Sequence, residues 1–245
     1  LAPSPFAPPR WLRSPHLQSV LSSSPLRGLH ARRRLRATGA VHQPVLLDAG
    51  DGVRLQGIHS VRPHVAPRAL AVLLHGWEGS ADSNYMRLTA ARLLQHGHAV
   101  FRLNFRDHGG SHHLNEGLFH SNRIDEVVHA VGDIARRWPQ LPMLAAGYSL
   151  GGNFALRLAL RAHAAQLPLR RVAAICPVLD PARTMAQMES GLPLYLRYFE
   201  RKWRRSLSRK RELFPQAHDF GDDVLRLRMR ALTEWMVLRH TDFAT

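Results

Sequence analysis

The chain is poor in cysteine, lysine, acidic residues and long apolar runs, and each shortage removes a class of protein. Cys176 is the one cysteine among 245 residues, so no internal disulfide can form. A reducing, cytoplasmic setting is the expectation that follows. The longest apolar candidate, residues 69–74, is the length of a strand, whereas a bilayer-spanning helix needs roughly 18 residues or more. The opening "LAPSPFAPPRWLRSPH" has prolines where a secretory signal needs an apolar centre. It begins with Leu rather than Met, as a fragment or a processed product would.

Acidic residues are outnumbered, 18 against 34 basic ones, for a formal net charge of +16, and lysine occurs only at positions 202 and 210. Such a balance suits nucleic acid, an anionic membrane surface or an acidic partner. It is also what a general preference for arginine codons produces, because the arginines are spread over most of the chain. No nucleic-acid module accompanies the charge, so nucleic acid is not expected as a partner. A hydrophobic fraction of 45% points to a folded globular chain with a sizeable core.

Along the chain, residues 1–44 are rich in Pro, Ser and Arg and read as an irregular arm with one short helix near residues 16–22. Arg32-Arg33-Arg34 within it is read as a solvated connector. The pattern then changes. Residues 45–47 and 53–61 are expected to pair as strands across the turn Gly50-Asp51-Gly52. The continuous apolar run at 69–74 fits a strand buried on both faces. Helical spacing at 85–95, a strand at 98–105, a helix at 123–138, a strand at 141–146, a helix at 152–165 and a strand at 172–178 complete an alternation. It predicts an α/β fold, a mostly parallel sheet with helices on both faces. The core is placed at residues 45–181. Residues 182–245 are expected to form a helical cap, in which Tyr195, Phe199, Trp203 and Leu207 recur every four residues among arginines. An amphipathic helix docked on the core explains that stripe; a peripheral contact with an anionic lipid surface is compatible with it.

The chemistry centres on "AAGYSLGG", residues 145–152. Gly147-x-Ser149-x-Gly151 between a strand and a helix is the nucleophile-elbow pattern, in which the serine occupies a strained turn and its neighbours two residues away must be small. The helix that follows aims its N-terminal N–H groups at the reaction site. A second signal, "LLHGWEG" at residues 73–79, closes an earlier apolar strand. Its geometry predicts that the main-chain N–H groups of Trp77 and Leu150 form an oxyanion hole, with Gly76 letting the loop turn.

"LLHGWEGSADSNYMR", "FRLNFRDHGGSHHLNEGLFHS" and "AAGYSLGGN", together with the arm "PPRWLRSPHLQSV", resemble the α/β-hydrolase superfamily and within it the YheT-like branch (AB hydrolase 4 family) of esterases and lipases. The resemblance covers nearly the whole chain. It implies the α/β-hydrolase fold, carboxylic-ester hydrolysis without cofactor or metal, a small or lipid-like ester as substrate, and a cap inserted after the sixth strand. It also implies a triad in the order Ser, Asp, His, with the last two following a seventh and an eighth strand that this sequence does not contain. Asp180 with His218 or His240 is the one internal substitute for that pair. Asp180 before a proline is more simply a loop-start residue. The cluster His108, His112, His113, Glu116 and His120 has ligand-type side chains, but its spacing matches no zinc motif. It is read as the rim of the site, held by Arg106 and Asp107. Two functions therefore stand: a serine ester hydrolase acting through an acyl-enzyme at Ser149, and a catalytically incomplete or non-catalytic binding protein of the same fold.

Overall fold

The computed structural model describes residues 7–241. The arm folds more than its composition suggests, into two helices, α1 (Pro15–Ser22) and α2 (Pro25–Arg36). Each starts on a Ser-Pro pair. Ser14 Oγ accepts from the Leu17 N–H at 3.4 Å and Ser24 Oγ from the Arg27 N–H at 3.2 Å. Proline at the first helical position loses no hydrogen bond, so Ser-Pro here is a helix start rather than a loop.

The sheet has six strands in the order β1 (Val41–Asp48), β2 (Arg54–Val61), β4 (Ala99–Asn104), β3 (Leu70–Leu74), β5 (Met143–Tyr148), β6 (Leu169–Ile175). β2 runs antiparallel to both its neighbours, and β4, β3, β5 and β6 are mutually parallel. β1 begins four residues before the expected start at 45, its Val41 paired with Val61. β6 lies earlier than the expected 172–178, because the chain turns at Cys176, whose φ is +47°.

Alternation along β3 shows how the layers form. Leu70, Val72 and Leu74 pack in one core with α4 (Ile124–Arg137) and α5 (Leu150–Arg161), through residues such as Ile134, Phe154 and Leu158. Leu73 points the other way, with Val100, into a core made by Leu35 of α2 and Met86, Ala90 and Leu94 of α3 (Asn84–Gln95). A strand covered on both faces has no use for a polar position, which is why β3 is apolar throughout.

After β6 come only helices among the described residues: α6 (Pro181–Ser190), α7 (Pro193–Leu213), α8 (Asp222–Arg226) and α9 (Met229–His240). Leu207, Phe220, Val224, Leu232 and Met236 close around Leu118 as a separate small core. The aromatic stripe of α7 is a docking face: Phe199 stacks on Trp77, Trp203 meets the same ring edge-on, and Leu207 is buried. None of the described helices is long and apolar enough to cross a membrane.

Candidate active site

The tip of β5 and the start of α5 form a sharp turn. Ser149 sits there at φ +53°, ψ −117°, a conformation that costs a non-glycine residue about 1–3 kcal/mol. The glycines around it are required by contact. A Cβ on Gly147 would stand 2.0 Å from the Gly151 carbonyl oxygen, and one on Gly151 would stand 2.3 Å from the His75 carbonyl oxygen. The turn is held by main-chain bonds: the Ser149 N–H donates to Ile175 O at 2.9 Å, and the Asn153 and Val178 N–H groups donate to Ser149 O. Asn153 Nδ2 adds a bond to Val178 O at 2.8 Å, tying α5 to the loop beyond β6. Ser149 itself is exposed.

The loop after β3 lies against this turn. A Cβ on Gly76 would be 3.4 Å from Ser149 Cβ and 3.3 Å from Tyr148 O. The Gly76 N–H donates to the Tyr85 hydroxyl at 2.9 Å, and the Gly79 N–H to Gly76 O at 2.9 Å. The loop is thereby a closed turn, with Trp77 at its tip and its indole clamped by α7. The Trp77 N–H finds no acceptor among the described residues, and the Leu150 N–H opens α5, where no intrahelical acceptor exists. Tyr85 was not singled out from the sequence. Its hydroxyl meets Gly76 from nine residues further on, and no local pattern signals that.

Two buried histidines stand close by, with rings 4.9 Å apart, and both have their nitrogens engaged by backbone. His75 Nδ1 lies 2.7 Å from Gly76 O, and its Nε2 accepts from the Phe105 N–H at 3.2 Å. His108 Nδ1 lies 2.7 Å from Arg106 O, and its Nε2 accepts from the Glu78 N–H at 3.2 Å. Each ring is therefore the neutral tautomer with the proton on Nδ1. Burial, then the neighbouring His108, holds His75 well below the ordinary histidine value, and burial brings His108 to about 4. Neither ring has a free nitrogen with which to take a proton from Ser149. Both fix the loops instead.

The other histidines and acids take different places. Asp180 caps α6, accepting the Arg183 N–H at 2.9 Å. His218 Nε2 donates to Glu116 O over 2.8 Å and has His240 at a ring distance of 6.1 Å; neither bonds to Ser149. His112 Nε2 pairs with Ser206 Oγ at 2.8 Å. Among the described residues no group of three or more His, Cys, Asp or Glu is placed to hold a metal, so the cluster from His108 to His120 does not converge. Arg106 and Asp107 organise the loop that carries it. Arg106 grips Glu126 in a bidentate pair, with contacts as short as 2.6 Å, and donates to Gly117 O. Asp107 Oδ2 accepts the Phe119 N–H at 2.8 Å, and Oδ1 forms an ion pair at 3.0 Å with Lys210 of α7. Lys210 is fully buried and also donates to His112 O and Asn115 O.

An α/β sheet with a glycine-packed serine turn at the C-terminal end of a central parallel strand defines the class. The sequence profile described as the alpha/beta hydrolase fold matches residues 71–234, and the chain belongs to that family. It is similar to the Escherichia coli (strain K12) protein named "Putative esterase YheT", with 26% identity over 212 residues, 86% of this chain and 59% of that protein. The chain therefore spans about three fifths of that relative's length. Among solved structures, the esterase Pf2001 of Pyrococcus furiosus superposes with a TM-score of 0.55 at 22% identity, covering 67% of this chain and 63% of the other. The esterase Est22 does so with 0.53 at 20% identity, covering 69% and 53%. At these identities the likeness is one of fold.

Proposed function

We propose that this chain carries the nucleophile and the oxyanion hole of a serine hydrolase of carboxylic esters. The observation that carries the reading is Ser149, held at positive φ and exposed at the N-terminus of α5, with the Gly76-Trp77 loop pressed against it. Ser149 Oγ attacks the ester carbonyl. The Leu150 and Trp77 N–H groups receive the charge that develops on its oxygen, which preorganised donors stabilise. The alkoxide or alcohol leaves, water attacks the acyl-enzyme, and the acid is released. Residues 1–44 serve as the arm, 45–181 as the hydrolase core and 182–245 as a cap inserted after β6, with an ester bound between cap and elbow. The proton acceptor and its acid belong, on the family resemblance, to a segment following a seventh and an eighth strand.

The second reading, a catalytically incomplete chain, has its own support. No histidine among the described residues bonds to Ser149, and β6 is an edge strand with Ile175 38% and the nearby Leu179 72% exposed. One pair of experiments separates the two. Ser149→Ala in a chain extended to the full length of its coding sequence is expected to lower p-nitrophenyl ester hydrolysis by more than about 10⁴-fold and to abolish fluorophosphonate labelling, without changing the melting temperature downward. Unchanged turnover in that variant overturns the nucleophile assignment. Turnover by the extended chain but not by residues 1–245 identifies the present chain as the incomplete form.

A further inference from the structure

A cavity of about 800 Å³ lies between α7 and the loops that follow β3 and β4. It is distinct from the Ser149 turn but shares a wall with the oxyanion loop: Gly79 lines the cavity and donates to Gly76 O, and a Cβ on Gly76 would stand 3.4 Å from Ser149 Cβ. Lys202, Arg205 and Arg209 enter it from α7, with His112, Ser80 and Ser206 beside them. Its acids are largely accounted for. Glu212 pairs with Arg209 at 3.0 Å and Asp107 with Lys210 at 3.0 Å. Glu78 is the third acid, and burial pushes its carboxyl up to about 7, so near neutrality it carries only part of a charge. Lys202 donates to Glu78 O at 2.5 Å, which leaves two of its three N–H donors, and Arg205 has neither an ion pair nor a hydrogen bond among the described residues. Lys202 and Arg205 thus line the same cavity as a half-protonated carboxyl. His112 reports the same imbalance: burial, Lys210, Arg209 and His113 together hold it at about 4.

We propose that this cavity is a binding site for a phosphate-type oxyanion, gripped by Arg205 and Lys202 with Arg209, His112 and the serine hydroxyls around it. A guanidinium and an ammonium on one helix face, with Ser206 on the same helix and Ser80 on the loop after β3, offer the planar fork and the point charge that such a group takes. If the anion arrives on the ester substrate, the cavity selects acyl esters that carry an anionic group some distance from the scissile bond; that extension rests on the serine-hydrolase reading, while the binding itself does not.

The test begins with inorganic phosphate, titrated calorimetrically into the chain at constant ionic strength, against Arg205→Glu and against Arg32→Glu as a control for overall charge. Arg32 is exposed on α2, away from the cavity. Saturable phosphate binding is expected, weakened at least tenfold by Arg205→Glu and unchanged by Arg32→Glu. Arg205 is exposed and holds no partner, so the variant is expected to melt with the unmutated chain. Absence of binding, or equal weakening by both substitutions, overturns the proposal. In the extended, active chain, a p-nitrophenyl ester with a terminal phosphate is then compared with its neutral analogue. A KM lowered at least tenfold by the phosphate and restored by Arg205→Glu identifies the substrate as the source of the anion. Equal KM values, with phosphate binding intact, identify a free phosphate as the ligand.

Discussion

The serine turn and the cavity beneath α7 lie one hydrogen bond apart, through Gly79 and Gly76, and are built in opposite ways. The turn is defined by atoms that are missing. Gly147 and Gly151 lack the Cβ atoms that would collide with backbone at 2.0 and 2.3 Å, and main-chain hydrogen bonds from Ser149 to Ile175 and Val178 hold the turn in place. The cavity is defined by charges brought from far along the chain. Asp107 meets Lys210 across 103 positions, and Glu78 O meets Lys202 across 124. A site made by close backbone approach is rigid. One made by buried charge is tunable by pH and by whatever ion enters it.

The first way to break this contrast is to restore a missing atom. Gly147→Ala places its Cβ against a backbone oxygen that cannot rotate away, and the expected loss of stability exceeds about 4 kcal/mol, in the range reserved for gross steric conflict. Gly39→Ala is the converse case, since Gly147 has the contact without a positive φ. Gly39 has φ +65° but nothing within 4 Å of its Cβ position, so only the conformational penalty of about 1–2 kcal/mol applies. Urea unfolding of both variants measures the difference. Equal losses would mean that the backbone shifts to relieve the collision at Gly147.

That division also explains what could be read in advance. The turn was legible because spacing in the sequence is spacing in the structure: glycine two before and two after a serine, a strand before and a helix after. The sheet core was legible for a similar reason, since β3 carries its double burial in an unbroken apolar run. In the arm the short helix near residues 16–22 was legible and is α1, whereas α2 was not, because Ser-Pro at 24–25 signals both a loop and a helix start. Only the packing of Leu35 against α3 shows which applies. Lys210 and Glu78 were illegible. Nothing local marks the only lysines as a buried ion-pair partner and a loop clamp, because their roles depend on where α7 docks.

The next effect concerns Lys210. Burial alone lowers its proton affinity and raises that of Asp107, and their mutual attraction opposes both shifts. Lys210→Met removes the cation and leaves Asp107 buried without a counter-charge, for an expected loss of about 3–4 kcal/mol. Adding Asp107→Asn removes the stranded charge, and Asn tolerates the φ of +61° found there. The double variant is expected to regain at least half of the loss in thermal unfolding. A double variant no more stable than Lys210→Met would show that α7 is held by the shape of its aromatic stripe against Trp77 and not by the ion pair.

Glu78 gives the smallest effect and the one with a pH signature. Burial is the main cause of its raised value, Lys202 opposes it and Asp107 adds to it, bringing the carboxyl from an ordinary 4.5 to about 7. A folded-state value above the unfolded one means that the folded chain holds a proton the unfolded chain has released. Between pH 4.5 and 7 the unfolded state therefore binds fewer protons, and stability falls as pH rises, by at most about 3 kcal/mol across that window. Glu78→Gln keeps the shape of the side chain and cannot ionise. Its stability is expected to match the unmutated chain near pH 4.5 and to exceed it at pH 8, which thermal melts at the two values measure. A carboxyl ion-paired with Lys202 would give the reverse order at pH 8. In that case the cavity beneath α7 would already be neutral, and its contrast with the serine turn would lie in distance along the chain alone.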